Sequence, residues 1–391
     1  MPLKNEFLLD PNVIFLNHGS FGATPRPVFE TYQRWQRELE AQPVEFLGRR
    51  ANDLLQKSRE ALASYLHTHA DNLVYVTNAT TGLNTVLRSL RLGPQDEVLA
   101  SDHEYGALDR AWRFLARKSG FKYINLPIPL PITTPEDFVE RIWQAVTPRT
   151  RVFFLSHITS PTAIRFPVEQ ICQRARQAGI ITVIDGAHAP GQIPLDLEAM
   201  GVDFYSGNLH KWLCAPKGCA FLYARPEMQR LIEPLVVSWG WEPDTPGPST
   251  FIDQQEWTGT RDISAFLSVP SAIQFQAEHD WDRFRAACHE RLAHTIQRIE
   301  DLTGLPSLYA DNPDWFAQMA SAQLPPSIDI KTLKTRLYDV HHIEVPLNDW
   351  NGHNLIRVSV QAYNLQADLD ALVQSLGMEL ANPENFKQIA A

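Results

Sequence analysis

The residues best suited to chemistry surround one lysine, Lys211, in the stretch DFYSGNLHKWLCAPKGC from Asp203 to Cys219. A lysine attacks a carbonyl only as the free amine, and the apolar and aromatic neighbours of Lys211 could desolvate it and lower its pKa from about 10.4. Ser206, Asn208 and His210 precede the lysine and offer a hydroxyl, an amide and an imidazole for a phosphate group. The stretch therefore indicates an aldehyde cofactor that carries a phosphate group.

Asp185 is the second candidate for chemistry, near the end of the apolar run IITVIDGAH from Ile180 to His188. An apolar, β-branched run of this kind predicts a buried parallel strand, and ligands bind at the carboxyl ends of such strands. An acid there can pair with the protonated ring nitrogen of pyridoxal phosphate that a lysine holds as a Schiff base. Lys211 alone would be interpreted as a surface lysine, but its combination with Asp185 favours this cofactor.

Strands that alternate with helical patterns must position these residues. The strand patterns recur roughly every 25 to 30 residues, which predicts βαβ units and a mainly parallel sheet. We expect an α/β fold with an N-terminal segment 1–25 that contributes to the site, a large cofactor-binding domain 26–265 and a smaller α+β domain 266–391. A long helical stretch from Ile263 to Thr303 is predicted to connect the two domains.

Two further strand ends carry residues that suit a phosphate group and a planar ring. The sequence NATTG joins a strand to a helix, so Ala79, Thr80 and Thr81 form a candidate phosphate cup at the positive helix end. Helix capping alone would explain these residues equally well. In the next segment, SDHEYGAL, Tyr105 is predicted to stack on the ring, with His103 as the alternative.

Substrate contacts are predicted in two other segments. The glycine-rich turn NHGSFG allows close backbone approach to a ligand and makes Asn17 and His18 candidate substrate residues. The same turn could serve only to lead the chain into the next helix. In SHITSPTA the hydroxyl of Ser160, together with Thr159 and Thr162, could line the substrate side of the site.

The composition excludes several classes of partner. With 35 basic and 45 acidic residues the net charge is -10 and no basic cluster stands out, so nucleic acid is not expected as a partner. No apolar run approaches the ~20 residues that cross a bilayer, and the first residues lack a signal-peptide core. We therefore expect a cytoplasmic enzyme. Four scattered cysteines favour small core thiols over disulfides or a metal site.

The chain contains, in this order and over almost its whole length, the motifs NHGSFG, TNATTG, DHEYGA, SHITSPTA, DGAHAPGQ, SGNLHKW, TGTRD and RVSVQAYN. They resemble class V aminotransferases of fold type I, in particular the isopenicillin N epimerase-like branch. The resemblance implies a Schiff base on Lys211, Asp185 at the pyridine nitrogen and His188 at the ring hydroxyl. It also implies that Tyr105 stacks on the ring and that Arg357 binds the substrate carboxylate. The implied phosphate ligands are Ala79, Thr80, Ser206, His210 and, from a second subunit, Thr260.

The resemblance also narrows the function. Cysteine desulfurases carry a cysteine shortly before the position of Arg357, whereas residues 339–356 contain none, which argues against persulfide transfer. Epimerisation at Cα of an amino-acid substrate, β-elimination as in cysteine C–S lyases, and transamination remain open. Epimerisation needs a second acid, for which Tyr105, His18 and His103 are candidates. A homodimer with shared active sites is implied, and a cofactor-binding regulator is the non-enzyme alternative.

Overall fold

Strands and helices alternate along the computed structural model, which describes residues 3–247, 249–310 and 312–382. Within these residues the strands are β1 (Ile14–Phe15), β2 (Leu73–Val76), β3 (Glu97–Ser101), β4 (Lys122–Leu126), β5 (Thr150–Ser156), β6 (Ile181–Asp185), β7 (Phe204–Asn208), β8 (Ala220–Ala224), β9 (Met319–Gln323), β10 (Ile343–Glu344), β11 (Leu347–Trp350) and β12 (His353–Ser359). The α-helices are α1 (His18–Phe21), α2 (Arg26–Ala41), α3 (Pro43–Glu45), α4 (Ala51–Tyr65), α5 (Ala79–Ser89), α6 (Gly106–Ser119), α7 (Pro135–Gln144), α8 (Val168–Ala178), α9 (Leu197–Met200), α10 (Thr250–Glu256), α11 (Ser264–Leu267), α12 (Val269–Glu278), α13 (Trp281–Thr303), α14 (Ile330–Asp339) and α15 (Gln366–Leu380). None of these described helices is both long enough and apolar enough to cross a membrane.

The large sheet has seven strands in the order β2-β8-β7-β6-β5-β3-β4. The five strands from β7 to β4 pair in parallel, while β8 runs antiparallel to both of its neighbours. The predicted mainly parallel sheet is therefore confirmed. A parallel sheet is covered on both faces, which explains why strands such as β5 and β6 consist largely of buried apolar residues.

Apolar side chains from both faces of this sheet enter separate cores. Successive residues of a strand point to opposite faces, and Phe153 and Phe154 of β5 accordingly belong to different apolar clusters. Helices α5 and α6 cover one face, where Trp112 of α6 is completely buried. Helices α4 and α8 pack on the other face, through residues such as Leu55 and Ile171. The strand ends that carry site residues are thus held between two rigid layers.

The predicted smaller α+β unit contains an antiparallel sheet in the order β11-β12-β9. Helices α13, α14 and α15 pack with these strands and with one another. The N-terminal segment joins this unit, because β1 pairs in parallel with β10 through Ile14 and Ile343. The division into segments 1–25, 26–265 and 266–391 remains a prediction.

The predicted helical stretch from Ile263 to Thr303 is divided into three helices, α11, α12 and α13. Asp280 adopts a left-handed conformation with a φ of +49° directly before α13, and this interrupts the helical hydrogen bonds. The turn NHGSFG is also partly helical, since α1 occupies it. Sequence patterns do not predict β4 and β11, whose residues are only partly buried or exposed and mix polar with apolar side chains.

Candidate active site

A cavity of about 230 Å³ opens where strands of the large sheet end. Strands β5, β6 and β7 are parallel, so their carboxyl ends reach the same edge of the sheet. The predicted residues that line the cavity are Ala79, Thr80, Tyr105, Ser160, Asp185, His188, His210 and Lys211. Its walls also include Ser20, Phe21, Asn78, Ser156 and Asn208. The fold therefore brings most of the predicted site together.

Lys211 follows β7, and its Nζ lies 3.2 Å from Nε2 of His188. Burial lowers the pKa of Lys211 to about 7, and the positive charge of Arg357 acts in the same direction. The carboxylate of Asp185 opposes the shift. At neutral pH a large fraction of Lys211 is therefore the free amine that attacks a carbonyl.

His188 presents a defined ring nitrogen to this amine. The indole Nε1 of Trp212 donates a hydrogen bond to His188 Nδ1 at 3.3 Å, which places the imidazole proton on Nε2. Burial, followed by the charge of Lys211, lowers the pKa of His188 well below its usual value, so the ring is neutral. The Nε2–H group of His188 can thus donate to the amine or to an oxygen that a cofactor places beside it.

Asp185 ends β6 and offers an unpaired carboxylate to the cavity. Its Oδ1 accepts a hydrogen bond of 2.9 Å from the backbone nitrogen of Ala187. Burial raises the pKa of Asp185 to about 6, while the hydrogen bond from Ala187 and the nearby Lys211 favour the anion. Within the described part of the chain Asp185 forms no ion pair at hydrogen-bond distance, so a protonated ring nitrogen would satisfy it. The residues fit the pyridine ring of the predicted cofactor.

The N-terminus of α5 forms one wall of the cavity. The side chain of Asn78 caps the helix by accepting from the Thr81 nitrogen at 2.8 Å, and Asn208 Oδ1 accepts from the Ala79 nitrogen at 2.9 Å. The Thr80 nitrogen has no hydrogen-bond partner among the residues described. A free N–H group at a positive helix end suits a phosphate group, so Thr80 as a phosphate ligand stays a prediction.

Ser206 does not belong to this wall, contrary to the sequence prediction. Its hydroxyl donates to the carbonyl oxygen of Phe221 at 2.6 Å and lies against Gly82 of α5. Strand β7 continues two residues further, so Asn208 rather than Ser206 reaches the carboxyl end of the sheet. Asn208 therefore takes the position beside Ala79 that was predicted for Ser206.

His210 also faces the cavity, with one ring nitrogen already occupied. Its Nδ1 donates to the carbonyl oxygen of Cys219 at 3.0 Å, and burial lowers the pKa of His210 to about 4. The resting ring is neutral, with Nε2 as a hydrogen-bond acceptor. A phosphate at this point would raise the pKa of His210 and favour its protonated form.

Arg357 of β12 lies beside the cavity, behind Ser20 and Ser160. One guanidinium nitrogen donates to the carbonyl oxygen and hydroxyl of Ser160 at 2.5 and 3.2 Å, and the other terminal nitrogen donates to the hydroxyl of Ser20 at 3.2 Å. The Nε atom is buried and has no partner among the described residues. Burial lowers the pKa of Arg357 to about 10, so it remains a cation at neutral pH. An unpaired buried guanidinium suits a carboxylate ligand.

Asn17 and His18 do not line the cavity, so their prediction as substrate contacts is wrong. Asn17 accepts a hydrogen bond of 2.5 Å from the Ser20 hydroxyl and donates to Glu344 at 2.8 Å. His18 lies between the Tyr363 hydroxyl and the backbone oxygen of Lys211, each at 3.0 Å. The cause is α1, which turns these two side chains inward and directs Ser20 and Phe21 to the cavity.

Tyr105 and His103 are clearly separated by the structure. Tyr105 precedes α6, lines the cavity and is 44% exposed. His103 is fully buried, with its ring nitrogens at 2.7 Å from the Thr162 hydroxyl and 3.1 Å from the Ile128 oxygen. Tyr105 is therefore the better placed of the two for ring stacking. Thr260 lies outside the cavity of its own chain and is exposed, so its contact with a second subunit stays a prediction.

One family model and several relatives match most of the chain. The model described as aminotransferase class-V matches residues 14–372. The isopenicillin N epimerase of Amycolatopsis lactamdurans is 37% identical over 385 residues, which cover 95% of this chain and 96% of that protein. A putative L-cysteine desulfhydrase 1 of Oryza sativa subsp. japonica is 28% identical, over 95% of this chain and 84% of that protein.

The fold also resembles solved structures. A C-DES mutant with glycine covalently linked to its pyridoxal phosphate cofactor superposes with a TM-score of 0.86 at 20% sequence identity. The match covers 96% of this chain and 99% of that chain. This similarity confirms the predicted fold type I architecture.

Proposed function

The chain belongs to the class V aminotransferase family and uses pyridoxal phosphate, and we propose that it is an epimerase-like enzyme acting at Cα of an amino-acid-derived substrate. The observation that carries this proposal is the Lys211 amine, which lies 3.2 Å from His188 in the same cavity as Asp185. Arg357, held by Ser20 and Ser160, supplies a cation for a substrate carboxylate beside this cavity.

Each of these residues has a distinct task. When bound, pyridoxal phosphate withdraws electrons from the bonds to the substrate Cα. Asp185 holds the ring nitrogen, and the N-terminus of α5 holds the phosphate. Arg357 binds the substrate carboxylate and thereby fixes the direction of the Cα–H bond. Lys211 accepts the Cα proton, because a pKa of about 7 allows a free amine at neutral pH.

Inversion at Cα also requires a proton donor on the face opposite Lys211. Of the three candidates from the sequence, His18 and His103 are fully buried, hydrogen-bonded through both ring nitrogens and absent from the cavity wall. Tyr105, in contrast, lines the cavity. We therefore assign the second proton transfer of an epimerase to Tyr105.

β-Elimination of a sulfur-containing amino acid is the second candidate function. It is favoured by the similarity to the desulfhydrase of Oryza sativa subsp. japonica, and it uses the same Lys211 base without a second acid. Persulfide transfer is not part of the proposal, because residues 343–359 form β10, β11 and β12 without any cysteine. The four cysteines, Cys172, Cys214, Cys219 and Cys288, are all buried, as predicted for core thiols.

Turnover in deuterated water distinguishes these reactions. The purified holoenzyme is incubated with a panel of L-amino acids that includes cysteine, cystine and cysteine sulfoxides. An epimerase introduces deuterium at Cα and inverts the configuration, a lyase releases pyruvate and ammonia, and a transaminase leaves the cofactor as pyridoxamine phosphate. If pyruvate forms and no inverted substrate is found, the protein is a lyase and the proposal of an epimerase is refuted. The absence of turnover with the whole panel and with peptide-linked amino acids would favour a regulator.

The Tyr105→Phe variant tests the assignment of the second proton transfer. We expect Tyr105 to serve one face of the substrate Cα and Lys211 the other. The variant should then still exchange the Cα proton of one enantiomer for deuterium. It should invert the substrate at least about ten-fold more slowly, which is the loss typical of a missing acid or base. Equal inversion rates in the variant and the natural protein would refute this role. Tyr338→Phe, an exposed tyrosine on α14, serves as the matched control.

A further inference from the structure

A second buried carboxyl group lies behind the cavity, at Glu104. This residue follows β3 and precedes Tyr105, and it is 8% exposed. It does not line the cavity and has no part in the chemistry assigned above. A glutamate in such a position needs either an opposite charge or a proton.

Serine side chains and backbone fix the Glu104 carboxyl group. Its Oε1 shares a hydrogen bond of 2.6 Å with the hydroxyl of Ser101, which can also accept a proton from the carboxyl group. Its Oε2 accepts from the backbone nitrogen of Ser156 at 2.8 Å and from the hydroxyl of Ser156 at 2.6 Å. Ser156 lines the cavity and is the direct neighbour of Asp185 in the pairing of β5 with β6. One serine thus separates the two buried carboxyl groups.

No cation compensates Glu104 within the described part of the chain. Buried Glu97, at the other end of β3, pairs with Arg149, but Glu104 forms no such ion pair. The titratable groups near it in its own loop and on the neighbouring elements are Asp102, His103, Asp109 on α6, Tyr123 on β4 and Asp185 on β6. His103 is buried and Tyr123 is partly buried, and this burial favours their neutral forms.

These surroundings favour a protonated Glu104. Burial and, to a smaller extent, the negative charge of Asp185 raise the pKa of Glu104 to about 8, against the three hydrogen bonds that favour the anion. Two carboxylates on adjacent strands repel each other in a medium of low dielectric constant. One of the pair therefore keeps a proton at neutral pH. The backbone hydrogen bond from Ala187, and Lys211 to the extent that it is protonated, favour the anion at Asp185, so the proton stays on Glu104.

We propose that Glu104 is a positioning residue that retains a proton beside the cavity, so that Glu104 and Asp185 together carry a single negative charge located on Asp185. The proposal rests on the proposed function, in which Asp185 pairs with the ring nitrogen of the cofactor. Glu104 then limits the negative charge behind the ring at neutral pH. When the pH rises and Glu104 ionises, the added charge holds the ring proton more firmly.

Selective labelling measures the proton on Glu104 without turnover. The holoenzyme is prepared with glutamate labelled with ¹³C at the side-chain carboxyl, and carbon spectra are recorded from pH 6 to 10. A resonance at the position of a protonated acid is expected at pH 7 and should disappear in Glu104→Gln. Glu97→Gln, which alters another buried glutamate of the same segment, should leave it in place. A Glu104 resonance at the position of the anion at pH 7 would overturn the proposal.

The pH dependence of the bound cofactor gives a second readout. In the natural protein the visible absorbance of the cofactor should show a step that follows the ionisation of Glu104, and this step should be absent in Glu104→Gln but present in Glu97→Gln. Ser156→Ala removes one hydrogen bond to the anion, so the step should move to higher pH. An unchanged step in both Glu104→Gln and Ser156→Ala would contradict the proposal. If the natural protein shows the resonance of a protonated Glu104 but turns over no substrate, only the proposed function is refuted.

Discussion

At the scale of single residues, burial converts ordinary side chains into reactive ones. Burial destabilises a charged group in the cavity, so Lys211 loses its proton near pH 7. The same effect raises the pKa of Asp185 to about 6. The two shifts bring the lysine and the aspartate toward the neutral range from opposite sides. Because the two pKa values lie close together, a charge that enters or leaves the site can change the protonation state of either group.

The reactivity of Lys211 should follow this lowered pKa. When cofactor-free protein is mixed with pyridoxal phosphate, the rate constant for formation of the visible absorbance should rise with pH up to about 7 and level off above it. An ordinary lysine would become about ten-fold more reactive per pH unit up to its pKa near 10.4. A rate constant that keeps rising beyond pH 8 would show that burial does not lower the pKa of the Lys211 amine. Borohydride should then fix the cofactor on Lys211.

Arg357 gives a second prediction at this scale. A planar guanidinium binds a carboxylate through two hydrogen bonds, which Arg357→Lys cannot reproduce. A charge-assisted bond contributes roughly 1.5 to 3 kcal/mol, so amino-acid binding should weaken about ten-fold or more. Cofactor absorbance should stay unchanged, as should binding in Arg298→Lys, which alters a partly exposed pair with Asp370. Unaltered amino-acid affinity in Arg357→Lys, measured by spectral titration, would place the carboxylate elsewhere.

At the scale of elements, the junction of β7 with α5 sets the phosphate site. Asn208 Oδ1 holds the Ala79 nitrogen, and an unsatisfied buried N–H costs about 1–3 kcal/mol. Asn208→Ala leaves the N-terminus of α5 without this fixed contact, so part of the binding free energy must order it, and cofactor binding should weaken by roughly ten-fold, as measured by equilibrium titration of the cofactor-free protein. Asn84→Ala, one turn further along α5, removes only a contact to the Thr80 oxygen and should leave cofactor affinity nearly unchanged. Equal losses in both variants would indicate a general weakening of the helix.

The sequence predicts some strands of the large sheet and the position of their side chains better than others. Strands β5 and β6 follow from long apolar runs, and Asp185 lies at the cavity where β6 ends. Strand β7 contains Ser206, Gly207 and Asn208, and these polar or small side chains do not form the apolar pattern that predicts a buried strand. Ser206 and Asn208 share one face, so only the length of β7 decides which reaches the phosphate site.

At the scale of the whole molecule, the predictions fail where distant segments meet. The hydrogen bonds of His18 to Lys211 and Tyr363 join the beginning, middle and end of the chain. No local pattern contains that information, because the periodicity of a helix or strand reports only which face is buried. The role of Asn17 and His18 therefore needs the tertiary structure, whereas the lysine and its aspartate do not.

We also propose that the protein is a homodimer in which Thr260 completes the phosphate site of the partner subunit. The loop that carries Thr260 is anchored within its own chain, because buried Glu256 pairs with Arg59 and its backbone oxygen accepts from Arg261 at 2.6 Å. Thr260 itself is exposed on this fixed loop.

Hybrid dimers test this sharing of sites. A Lys211→Ala chain and a Thr260→Asp chain, in which a negative charge repels the phosphate, should each be nearly inactive. Mixed dimers contain one site with both natural residues, so activity should return to roughly one quarter of the natural value in an equimolar mixture with random pairing. Ser249→Ala, at the N-cap of α10, is the control. An active monomer at all dilutions would refute the proposal.

The pairing of β1 with β10 has a consequence for synthesis. The segment that carries Ile14 leaves the ribosome well before its partner Ile343, and the backbone oxygen of Leu16 is paired only once Ser359 has followed. At roughly 5–20 residues per second the segment spends tens of seconds without its partner strand. Since α1, which positions Ser20, is attached to this segment, a nascent chain cannot assemble the proposed carboxylate site before β12 has been synthesised.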